Sequence, residues 1–178
     1  VNAKTIVDFW MLAGPERWFI RDAAFDGALA VRFGAALQQA RLGAFDHWGE
    51  TPEGALGLVI LLDQVSRNIH RGSPLAFAAD AKALTLAKIW IGRSYHQMLP
   101  APIALWLIMP FEHAEYLDAQ HRCVALFETM GLHEMVHYAQ IHLDIIARFG
   151  RFPHRNAVLG RRSTAAEIAF LQAGGFAG

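Results

Sequence analysis

Three stretches of this 178-residue chain combine side chains that do chemistry. In Leu61-Leu62-Asp63-Gln64-Val65-Ser66-Arg67-Asn68-Ile69-His70-Arg71, Asp63 and Arg67 stand four apart with the acid first, the favourable order for a helical ion pair. Arg71 continues that face, and Gln64 and Asn68 form an amide pair beside it. Such a donor-rich wall suits a carboxylate or a phosphate. It equally suits a helix end, where arginines satisfy free carbonyls and complement the dipole. In Pro110-Phe111-Glu112-His113-Ala114-Glu115, both glutamates are expected in the first turn of a helix, where negative charge is favoured. They could serve as arginine partners or, with His113, as metal ligands. The third stretch runs Arg148-Phe149-Gly150-Arg151-Phe152-Pro153-His154-Arg155-Asn156 and on to Arg161-Arg162. From Ile145 to Ala166 it holds five arginines and one histidine with no acidic residue. A run of like charges repels itself unless it meets an anion or the protein's own carboxylates. Arg151 and Arg155 are therefore expected to dock on Glu112, Glu115 or Asp63.

His133-Glu134-Met135-Val136-His137 matches HExxH, which on a helix turns two histidines to one side for zinc with the glutamate as base. The nine histidines of the chain make a chance match plausible. No third ligand is evident, so no metal and no cofactor are expected. None of Ser66, Ser73, Ser94 and Ser163 sits in a glycine elbow. Cys123 reads as a core residue, and Gly54-Ala55-Leu56-Gly57 as part of a helix rather than a phosphate loop.

The formal net charge is zero and the sequence pI is near 7.3, which favours neither nucleic acid nor an acidic membrane as partner. Phe149 and Phe152 interleave with arginine as in single-strand binders, but no recognised RNA module accompanies them. The longest apolar runs fall far short of the roughly 20 residues a membrane span needs. A single cysteine excludes an internal disulfide and fits the cytoplasm. Length and 54% hydrophobic content suit one domain over 1–178.

Helices must position all of this. Thr5 to Leu12 reads as a first helix ended by Gly14-Pro15. Asp22 N-caps a second, in which Phe25, Leu29, Phe33 and Leu37 recur every four residues until Gly43. Thr51-Pro52 opens a helix ending at Arg71-Gly72; its five aliphatic residues, Leu58 to Leu62, run straight into the polar cluster. Ser73-Pro74 marks a short turn, and Asp80 caps a helix to Ile91-Gly92. An apolar helix after Pro102 is interrupted at Pro110. Phe111 to Met130 and His133 to Phe149 follow, and Thr164 with Glu167 forms a capping box for a last helix ending at Gly174-Gly175. No strand-like alternation occurs. The expectation is all-α, with seven to nine helices.

The residues Phe9-Trp10, Arg17-Trp18-Phe19, Phe25-Asp26, Arg32-Phe33, Trp48, Leu61-Leu62-Asp63-Gln64, Arg67-Asn68, Arg71-Gly72, Phe77-Ala78, Pro110 to Glu115, Ile145 to Gly160 and Ser163-Thr164 resemble the bacterial domain-of-unknown-function family numbered 924. The resemblance implies an all-α fold of helical hairpins stacked as a tetratricopeptide-like right-handed superhelix, and no activity. It selects Asp63, Gln64, Arg67, Asn68, Arg71, Glu112, His113, Glu115, His142, Arg148, Arg151, His154, Arg155 and Asn156, and leaves His133 to His137 outside. Val65 replaces the family's usual phenylalanine and Ala114 its usual serine; if that serine acts chemically, its absence here counts against a hydroxyl nucleophile.

The leading expectation is a non-catalytic helical binding domain. Its three polar segments would form one cluster, with Arg67, Arg71, Arg151 and Arg155 offered to a small anionic ligand or an acidic peptide segment. Two alternatives stand: a hydrolase with His113 or His154 as acid-base, and a structural cluster inside a protein-interaction scaffold. Oligomeric state is not readable from the chain.

Overall fold

A computed structural model describes residues 1–176, and among them helices are joined by turns with no strand. Helix α1 spans Ala3–Ala13, α2 Pro15–Trp18, α3 Ala23–Arg41, α4 Pro52–Val59, α5 Ser66–Ile69, α6 Asp80–Gly92, α7 Tyr95–Met98, α8 Ala101–Glu112, α9 Leu117–Thr129, α10 His133–Phe149 and α11 Ala165–Gln172. None of them is long and apolar enough to cross a membrane. The chain divides into two compact units: Val1–Arg71 with Leu75–Pro110, and Gly72–Pro74 with Phe111–Gly178.

In the first unit the four-residue recurrence along α3 holds. Phe25, Leu29, Phe33 and Leu37 are all buried. Asp22 caps α3 by accepting from the N–H groups of Ala24 and Phe25, and Thr51 caps α4 through Gly54 N–H. Gly14-Pro15 ends α1 and also opens the single turn α2, because proline at a first helical position loses no hydrogen bond. The two glycines of α4 answer to packing. A Cβ at Gly57 would lie 2.7 Å from the backbone of Ala3, so only glycine lets α1 approach this closely.

Between α4 and α5 the rod from 52 to 69 winds as a π-helix over Ile60–Val65, with every residue of that segment buried. π turns are rare and cluster at functional positions; this one carries Asp63 and Gln64. Asp80 is not a cap: Ala79 holds that position, and Asp80 is the first residue of α6, with its carboxylate on Arg67.

The second unit departs from the sequence reading where α8 meets α9. The helix runs through Pro110 and ends at Glu112, and α9 starts only at Leu117. An interior proline costs about 3 kcal/mol, but α8 is buried almost continuously from Ala104 to Phe111, which outweighs it. Glu112 therefore closes one helix and Glu115 lies in the connection; neither enjoys a helix N-terminus. Gln120 secures the break, its buried amide donating to the carbonyls of Phe111, Glu112 and Ala114 at 3.3, 2.7 and 2.7 Å. Downstream, Gly150 ends α10 in the left-handed region, and the Thr164–Glu167 capping box starts α11.

Candidate functional site

The sequence-selected residues fall into both units, and each unit supplies partners of its own. In the first, Arg67 donates to Asp80 Oδ2 at 2.9 Å and to Asp63 Oδ1 at 3.3 and 3.4 Å, and lies over the Phe77 ring. Gln64 donates to the other oxygen of Asp63, which is fully buried. Burial alone would lower the Arg67 pKa; the charges of Asp63 and Asp80 reverse this, and it ends above its ordinary value. Asn68 and Arg71 both donate to Asp26 of α3, at 2.7 Å and at 2.9 and 3.2 Å. The i, i+4 pair read from the sequence is real, but its shorter bond goes to Asp80. Asp26 and Asp80 were missed as acceptors because they stand far away in the chain.

In the second unit the arginine-rich loop after α10 is tied down by carboxylates. Glu115 accepts from Phe152 N–H at 2.7 Å and from Arg161 at 2.6 and 2.9 Å. Burial pushes Glu115 up, but these donors and the charge of Arg155 outweigh it and hold the group below the usual range. Arg155 is buried, stacks on the Phe152 ring and donates to the His113 carbonyl at 3.0 Å. Asn156 donates to Ser163 Oγ. Arg151 does not take Glu112, Glu115 or Asp63 as its ion-pair partner; it forms a two-pronged pair with Glu167 at 2.6 and 2.9 Å and reaches the Arg162 carbonyl. The signal for this was present: Glu167 is the first acid after the acid-free run.

Glu167 also accepts from Thr164 N–H, and its pKa falls from 4.5 to about 2, chiefly through the Arg151 bonds. A depressed carboxylate adds stability above its unfolded value and loses it as pH falls through the folded one. The stability difference between wild type and Glu167→Gln should therefore be constant at neutral pH and shrink from pH 4.5 to about 2. Urea unfolding across that range reads it; a difference independent of pH would refute the pairing.

The buried Glu112 carboxylate lies 3.7 Å from His142 Nδ1, which is 2.8 Å from the Tyr138 carbonyl. His142 packs edge-on against Phe152 and Phe176, and His154 adjoins the same two rings. Cys123 is buried, and burial, then the charge of Glu112, push its thiol up, which makes it unreactive. His133 and His137 are exposed on α10, and among the described residues no three histidine, cysteine or acidic side chains gather as a metal site.

Arg148 differs from the paired arginines. Its guanidinium makes no hydrogen bond or ion pair with the described residues and instead lies 4.7 Å from the Phe149 ring centroid and 5.8 Å from that of Phe170. It lines an open cleft of about 470 Å³ together with Phe149, Arg151, Thr164, Ala166 and Glu167.

The model of a family described as "Bacterial protein of unknown function (DUF924)" matches residues 6–175. The chain belongs to this family. A solved structure titled as a protein of unknown function, ATU0120 from Agrobacterium tumefaciens, is 41% identical with a TM-score of 0.91, over 96% of this chain and 97% of that one. The comparison with curated proteins found no match. The family connection thus carries the fold and no activity.

Proposed function

We propose that the protein is a helical binding domain that takes an oxyanion, borne by a small molecule or an acidic peptide, in the cleft beside Arg148. The observation that carries this reading is the guanidinium of Arg148: charged, uncompensated by any carboxylate of the described residues and held on two phenyl rings at the cleft. Planar guanidinium groups bind carboxylate and phosphate with two parallel bonds. Arg151 stands in the same cleft with its Nε and Nη2 given to Glu167, which leaves Nη1 to face a ligand. Thr164 Oγ accepts from Glu167 N–H, and its hydroxyl proton remains to donate. Arg67, Arg71, Arg151 and Arg161, paired with Asp80, Asp26, Glu167 and Glu115, support a packing role for most of the polar segments.

Two or three charge-assisted bonds in an open cleft correspond to a dissociation constant on the order of 1 mM for inorganic phosphate. An amide-shift titration with phosphate should move resonances of 148–151 and 164–167, and Arg148→Ala should weaken binding about tenfold. A parallel titration with an acidic peptide separates the two sources of the anion. Absence of any shift in these two segments in wild type would end the reading.

A further inference from the structure

The chain that follows α11 is built to hold the Arg148 guanidinium in place. Among the described residues, the Arg148 guanidinium has only the rings of Phe149 and Phe170 to orient it, and those two rings pack on each other at 5.2 Å. Phe170 is in turn backed by the chain after it. Gly174 turns in the left-handed region (φ 79°) and donates to the Leu171 carbonyl, and Gly175 N–H donates to the Phe170 carbonyl at 3.0 Å. This lays the backbone of Gly175 against the Phe170 ring so closely that a Cβ there would fall 2.5 Å from Cζ. One residue on, Phe176 inserts its ring beside His142 and His154, at 4.6 and 5.6 Å, against the cluster of Ile145, Ile146 and Phe152.

We infer that Phe176 and Gly175 are positioning residues for Arg148: the docked Phe176 ring pins Gly175 on Phe170, and Phe170 with Phe149 fixes the guanidinium at the cleft. The assignment rests on the anion-binding reading of that cleft, and it explains features that helix termination leaves over. A left-handed glycine is enough to end a helix; a second glycine in contact with a ring, followed by an aromatic anchor, is not required for that. The free end of a phenyl ring yields easily, so Gly175→Ala should shift the Phe170 ring rather than break the fold.

The test follows the Nε–Hε signal of Arg148 by heteronuclear relaxation, with a phosphate titration and a melting curve on each variant. In wild type and in Phe176→Tyr, which keeps the ring, the signal should be ordered. In Phe176→Ala and Gly175→Ala it should lose order, and phosphate affinity should fall about fivefold or more while both variants remain folded. Unchanged Arg148 order in the two variants would overturn the assignment. So would lost affinity with Arg148 still ordered, since the effect would then run by another route. If wild type does not bind phosphate, the anion reading fails by itself, and Arg148 order still decides whether the anchor positions the side chain.

Discussion

Replacing Arg67 by methionine should lower the stability of the protein by about 3–5 kcal/mol, the cost of removing one partner from a buried charge cluster. The guanidinium is shared by Asp63, which is fully buried, and Asp80, and it also covers the Phe77 ring. Without it two carboxylates face each other in a poorly hydrated place, where like charges repel strongly. For a chain of this size the loss corresponds to a melting temperature lower by about 10 °C. Methionine keeps most of the apolar stem, so the loss reports charge rather than a cavity. The double variant Asp63→Asn with Arg67→Met should recover part of it, which a double-mutant cycle measures. A loss below about 1 kcal/mol would assign Arg67 the worth of an exposed pair and remove the cluster as a stabilising element.

The second large effect is expected at Glu115. Its carboxylate accepts three bonds, one from the Phe152 backbone and two from Arg161, and so joins the α8–α9 connection to both ends of the arginine-rich loop. Glu115→Ala strands a backbone N–H and a guanidinium at once; with charge-assisted bonds worth about 1.5–3 kcal/mol each and not additive, a loss of about 2–4 kcal/mol is expected. The damage should be local first. Limited proteolysis should cut between 150 and 163 at a faster rate than in wild type, before global unfolding. Equal cleavage rates would mean that Phe152, buried beneath Arg155, holds the loop unaided.

Much of the secondary structure was legible because its signals are local. Asp22, Thr51 and the Thr164–Glu167 pair each cap a helix as their types and spacing imply, and Gly43, Gly131 and Gly150 adopt positive φ just past helices. Local signals failed where packing overrode them. Pro110 reads as an interruption, yet a run of buried apolar side chains carries α8 through it. Glu112 and Glu115 read as residues of a first turn, yet the helix start lies at Leu117, secured by Gln120 reaching back to three carbonyls. Asp80 sits where a cap is expected and is recruited instead by an arginine thirteen residues earlier.

The candidate site shows the same division. Composition located the three polar segments, because five aliphatic residues running into charge, and an acid-free run with five arginines, are visible without a fold. The distant partners were not readable: Arg71 finds Asp26 forty-five residues back, and Arg161 finds Glu115 forty-six residues back. Pairing at such separations is set by how helices pack, and a chain contains more carboxylates than any spacing rule can sort. By itself, then, the sequence determined the helical class, most helix ends and the segments that carry polarity. Tertiary structure alone decided that Arg67, Arg71, Arg151 and Arg161 are neutralised within their own units while the Arg148 guanidinium, among the described residues, rests only on aromatic rings. The physical reason is that an arginine's chemistry depends less on its neighbours in the chain than on which anion, if any, the fold brings within reach of its guanidinium.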